Sequence, residues 1–148
     1  MFAHSISLDT ASRIVDEALA KGRAEGYQPL TVVVLDSGGH IKAMKREDGS
    51  SLMRPEIAMG KAWGTLSLGM GGRELARRAE KMSMFMNAAS DLAGGKLVPV
   101  PGGVLIRDSQ GVILGAVGVT GDLSANDELC AVAGITSVGL VADTGDAA

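Results

Sequence analysis

One lysine interrupts the segment "EIAMGKAWGTLSLGMGG" (56–72), in which every other residue from Ile57 to Gly72 is apolar, glycine or a small hydroxyl. At helical spacing Ile57, Lys61, Gly64 and Leu68 share one stripe. Lys61 then has two uses. Its stem lies along apolar surface while its head reaches water, or its ammonium projects into a pocket and meets a carboxylate. A buried ammonium with no partner is too costly to be a third option.

Three other groups have chemistry to offer the same anion. "KREDGS" (45–50) sets Arg46 and Asp48 at a strand exit. That is an ordinary solvated loop, or a place from which the planar fork of Arg46 grips a carboxylate. "PVPGGV" (99–104) is a plain strand entry, or a rigid rim in which Pro101, Gly102 and Gly103 lay bare amides against a ligand. "GVTGDLSANDE" (118–128) puts a glycine loop at a helix start, but Asp122, Asp127 and Glu128 make it too negative for phosphate. There the acids cap a helix, hold a cation, or move protons as Asp127 and Glu128 would in an enzyme anchored by Lys61. The spacing is not that of a dinucleotide-binding fingerprint. His40 follows a tight turn and reads as a turn residue, while His4 lies on the N-terminal end; neither has a zinc spacing.

These residues need elements to carry them. Residues 8–25 have helical periodicity between a Ser7 cap and a Gly26 stop. "LTVVVLD" (30–36) and "HIKAM" (40–44) form a hairpin through "SGG". The lysine-bearing helix follows, with Pro55 in its first turn and the 71–72 glycine pair as its break. "RELARRAEKM" (73–82) restarts it with a solvated basic face, and residues 83–100 read as a short helix and a loop. A second hairpin joins "GVLIRD" (103–108) to "VILGAVGV" (112–119) with the same Asp-Ser…Gly turn chemistry. A last helix spans about 125 to 141 with a capping box at Ser124, and 142–148 reads as a frayed tail. Hairpins flanked by helices predict one α+β domain over 1–148, with flexible ends at 1–6 and 142–148.

Composition narrows the partners. The 148 residues carry a net charge of −3 and 3% aromatics, which offers neither an electrostatic footprint for nucleic acid nor a stacking platform. No apolar run reaches the ~18 residues of a membrane span. The first residues lack a basic stretch before an apolar one, so the expected compartment is the cytoplasm. A single cysteine, Cys130, excludes a disulfide within the chain. The eight methionines, three of them at 82, 84 and 86, point to core or interface filler and to a homo-oligomer.

"VVVLDSGGHIKAMKREDG", "EIAMGKAWGTLSLG", "LVPVPGGVLIRDSQGVILGAVGVTG" and "NDELCAVAGI" together resemble the GlcG/HbpS family, which includes the C-terminal domain of PduO-type adenosyltransferases. The resemblance spans about residues 8 to 141, and the run from "PGG" to "NDE" is its most specific part. It implies a profilin-like α/β/α arrangement around a five-stranded antiparallel sheet, assembled as dimers or larger even-numbered oligomers. It further implies a haem or related tetrapyrrole as ligand. Lys61 and Arg46 would pair with its propionates, and His4, reaching across a subunit interface, or a methionine would approach the iron. The iron-binding Glu-x-x-Glu pair of one haem-sensing member has no counterpart, since Glu74 and Glu80 lie six apart. The competing expectation is an isomerase, hydratase or hydrolase acting on a small organic acid held by the same cations.

Overall fold

The computed structural model describes residues 4–146. Its elements run α1 (Leu8–Glu25), β1 (Thr31–Asp36), β2 (Ile41–Arg46), α2 (Arg54–Leu68), α3 (Gly72–Lys81), α4 (Ser83–Leu92), β3 (Gly103–Arg107), β4 (Ile113–Thr120), α5 (Ser124–Ser137) and β5 (Val141–Asp143). The strands form one antiparallel sheet in the order β2-β1-β4-β3-β5. The fold is α+β, as expected.

Strand alternation divides the core between two faces. Val32, Val34, Val104, Ile106, Val117 and Val119 pack with Ile14, Val15 and Ala18 of α1 and with Cys130, Ala131 and Ile135 of α5. The intervening Val33, Leu35, Leu105 and Ala116 pack under Ala58 and Ala62 of α2. The uninterrupted apolar run of β1 reflects this burial on both sides.

The two hairpins share one turn device. Asp36 Oδ1 accepts from the N–H groups of Gly38 and His40, at 2.9 and 3.0 Å. Asp108 Oδ1 does the same for Gln110 and Val112, at 2.8 and 2.9 Å. A carboxylate that satisfies two amides in this way holds a turn open at a fixed angle.

Several boundaries differ from the sequence reading. Gly69, at φ 70°, stops α2, whereas Gly71 and Gly72 begin α3 rather than end its predecessor. Helix α5 ends at Ser137, and no side chain caps it from Ser124. Instead Asp127 Oδ1 accepts from the Asp122 N–H at 3.0 Å, while Asp122 Oδ1 receives Leu123 N and Asn126 Nδ2. The tail expected to fray supplies the fifth strand, β5, paired along Leu105–Arg107. Beyond it the Arg73 N–H donates to the Thr144 carbonyl at 2.9 Å and Arg77 binds Asp146, so residues 144–146 are tied to α3. At the other end Ile6 is buried and its N–H donates to the Leu114 carbonyl at 3.0 Å.

Candidate functional site

Helix α2 presents two faces, one toward the sheet and one toward an open cleft. Lys61 faces inward. It is 3% exposed, and its Nζ donates to the Val119 carbonyl at 2.9 Å and to Asp127 Oδ2 at 3.1 Å. Since Asp127 lies in the first turn of α5 on the opposite face of the sheet, the lysine joins the two helical layers past the end of β4. Burial lowers the Lys61 pKa and raises that of Asp127, and their mutual attraction opposes both shifts.

The "PGG" segment closes over this pair. Gly102 and Gly103 are buried. A Cβ on Gly102 would stand 2.9 Å from Lys61 Nζ and 2.7 Å from the Val119 carbonyl oxygen. One on Gly103 would stand 2.3 Å from the Lys61 carbonyl oxygen. Glycine is required here because helix and strand touch, and Gly102 also sits at φ 112°. Pro101 is half-buried at the edge of the same contact.

Arg46 does not converge with Lys61. It lies on the edge strand, donates from Nη1 to the Ser50 carbonyl at 2.7 Å, and shares with Asp48 a separate surface hollow of about 480 Å³. The cation nearest in effect to Lys61 is Arg54, whose Nη1 donates to Thr120 Oγ1 at 2.8 Å and whose charge also lowers the lysine pKa. Glu128, the other proposed proton carrier, is engaged by Arg73, whose Nε donates to Oε1 at 2.9 Å and stands 2.8 Å from Oε2. Thus the expected anion site of Lys61, Asp127, Glu128 and the glycine rim is an internal clamp. Lys61 and Asp127 satisfy one another, and Glu128 is held by Arg73.

The outer face of α2 carries Glu56, Met59, Gly60 and Trp63 at helical spacing, and these form one wall of an open cleft of about 600 Å³. The β1–β2 turn supplies the opposite wall through Gly38, Gly39 and His40. Gly39 lies at φ 82°, and a Cβ there would come within 3.1 Å of the Trp63 ring, so the turn rests on the indole. Gly94, Gly95 and Lys96 close a third side. The Val98 N–H donates to the Gly60 carbonyl at 3.1 Å, pinning this segment across the helix where Gly60 has no side chain. Lys96 Nζ stands 5.6 Å from the Trp63 ring centroid, a cation–π contact. On its other side Trp63 also lines an apolar hollow of about 410 Å³ with Phe85 and Leu92.

Sequence reasoning missed this cleft, although the 56-59-60-63 spacing was a usable signal. It assigned His40 to a turn, correctly, without seeing that the turn folds over α2. His4 is exposed, and its neighbour Ser5 accepts from the Ser37 N–H at 3.2 Å, which places the N-terminal segment beside the same turn. Among the described residues no cluster of three or more His, Cys, Asp or Glu side chains is arranged to hold a metal ion. No helix among them is long and apolar enough to cross a membrane.

The fold agrees with the comparisons to known proteins. The model of the family described as haem degrading protein HbpS-like matches residues 6–136, and the chain belongs to that family. The chain is similar to the solved structure of PduOC in complex with haem, with a TM-score of 0.83 and 20% identity over 96% of this chain and 99% of that one. It is also similar to HbpS of Streptomyces reticuli, solved as a double mutant, with a TM-score of 0.79 and 23% identity over 94% and 90%. A third similar structure is protein ORFY of Klebsiella pneumoniae, with a TM-score of 0.83 and 23% identity over 94% of each chain. At such identities these structures establish the fold. No curated protein sequence matches the chain.

Proposed function

We propose that the chain is a binding protein for haem or a closely related tetrapyrrole, and that the ligand enters the cleft between α2 and the β1–β2 turn. The carrying observation is the composition of that cleft: an indole wall, apolar side chains from Leu35, Ile41 and Met59, glycines where backbone borders the space, one histidine, one lysine and one glutamate. Its volume, about 600 Å³, falls within the roughly 300–1,000 Å³ of small-molecule sites. The adjoining hollow behind Trp63 gives a large flat ligand further apolar surface. These residues fit a tetrapyrrole. Met59 and Trp63 would cover the ring, and Lys96 would meet a propionate in place of Lys61 and Arg46, which are engaged within the protein. Bound haem would supply redox-active iron; the chain's own part is to enclose it and to limit its contact with water. Family membership supports the reading independently of the cleft.

Titration with haemin is expected to give a saturable shift of the Soret band together with quenching of Trp63, the only tryptophan. Absence of both would sink the reading. A Soret shift that leaves the indole emission untouched would move the ligand elsewhere on the surface.

A further inference from the structure

We infer that His40 is the residue that binds the iron of this ligand and that Lys96 holds its acidic edge from across the cleft, an assignment that rests on the tetrapyrrole reading above. Two histidines are candidates. His40 lines the cleft and His4 does not. The backbone of His40 is fixed on both sides: its N–H donates to Asp36 Oδ1 at 3.0 Å, and its carbonyl accepts from the Asp36 N–H at 2.8 Å. The imidazole itself has no hydrogen-bond or ion-pair partner among the described residues. Cδ2 and Nε2 lie 3.4 and 3.9 Å from where a Gly38 side chain would begin, so glycine leaves that edge of the ring open. An imidazole on a rigid turn, unpartnered among the described residues and lining the cleft, is a donor that haem iron takes readily. Met59, on the α2 wall, is a second and softer donor in the same space.

Charge orients the ligand. Glu56 and Lys96 are the charged side chains that line the cleft with His40. Glu56 repels carboxylates, whereas Lys96 attracts them and is already seated against Trp63. The propionates of a tetrapyrrole would therefore lie toward Lys96.

The test compares haemin with metal-free protoporphyrin IX, on wild type and on His40→Ala, Lys96→Met and His4→Ala. His40 and Lys96 are exposed, so the variants are expected to fold, with circular dichroism as the check. His40→Ala should weaken haemin binding roughly tenfold or more and change the iron's absorption spectrum, with added imidazole restoring it. Binding of protoporphyrin IX by that variant should be unchanged. Lys96→Met should weaken both porphyrins by similar factors and leave the spectrum of bound haemin as in wild type. A wild-type spectrum and affinity in His40→Ala, or the same loss arising from His4→Ala instead, would overturn the assignment while haem binding stands. Failure of wild type to bind either porphyrin overturns the underlying reading and the assignment with it.

Discussion

Helix α2 separates two lysines that the protein treats in opposite ways. Lys61 is 3% exposed, with its ammonium between Asp127 and the Val119 carbonyl. Lys96 is exposed, its ammonium over the outer face of Trp63 with no carboxylate beside it among the described residues. The charge hidden in an apolar segment is committed to the architecture, and the one in an unremarkable loop is free to meet a ligand. Burial by itself is therefore a poor guide to a binding site. A buried charge needs a partner, and the fold must supply that partner from within unless a cavity reaches it.

The largest expected effect follows from breaking the inner pair. Lys61→Ala leaves the Asp127 carboxylate buried with only the Asp122 N–H for company, and should cost about 3 to 5 kcal/mol in urea denaturation. Replacing both partners, as Lys61→Met with Asp127→Leu, should recover most of that loss because no orphaned charge remains. If Lys61→Ala costs less than ~1 kcal/mol, Asp127 has found water or another cation, and the clamp is not closed.

Acid–base titration offers a gentler way to strain the same pair. Burial pulls the folded-state pKa of Lys61 below the ordinary lysine value. Between those two values the unfolded chain holds more protons than the folded one. Stability therefore rises with pH through that window; it falls as pH drops toward the folded value and is level below it. Denaturation midpoints followed up the alkaline range should climb in wild type relative to the Lys61→Met, Asp127→Leu double variant. A flat difference would mean that the attraction of Asp127 fully offsets the burial of the ammonium.

What the sequence disclosed of this arrangement depended on the range of the interaction. Paired hairpins, the Asp36 and Asp108 turns and the helix carrying Lys61 were all legible, because each is specified by residues within a few positions. The apolar neighbours of Lys61 left it two uses, a head reaching water or an ammonium meeting a carboxylate, and did not choose between them. The partner itself was not legible, since Asp127 lies 66 residues away and looks like any acid at a helix start. The glycines of "PGG" gave the right physical message, a close approach, but not the identity of the group approaching. Strand β5 escaped because three residues carry little propensity. Its conformation comes from the exposed edge of β3 and from Arg107, whose Nε bonds Asp143 at 2.9 Å. The cleft escaped for the same reason: Trp63, His40 and Lys96 meet only once the turn and the 94–98 segment are laid over α2.

The smallest effect is the one that best separates the two lysines. Lys96→Ala removes a single cation–π contact from a half-buried ring and leaves no charge stranded. It should lower stability by about 0.5 to 1 kcal/mol at most, within a degree or a few in a thermal melt. Salt should reduce even that, since the ammonium is open to the solvent. Yet this lysine is the cation expected to govern the affinity for an acidic porphyrin, whereas Lys61 should govern folding and, in variants that still fold, leave affinity nearly untouched. A melt in which Lys96→Ala proves as damaging as Lys61→Ala would show that the 94–98 segment is part of the core's support. The cleft beside it would then be a crevice between packed elements rather than a place built to receive a guest.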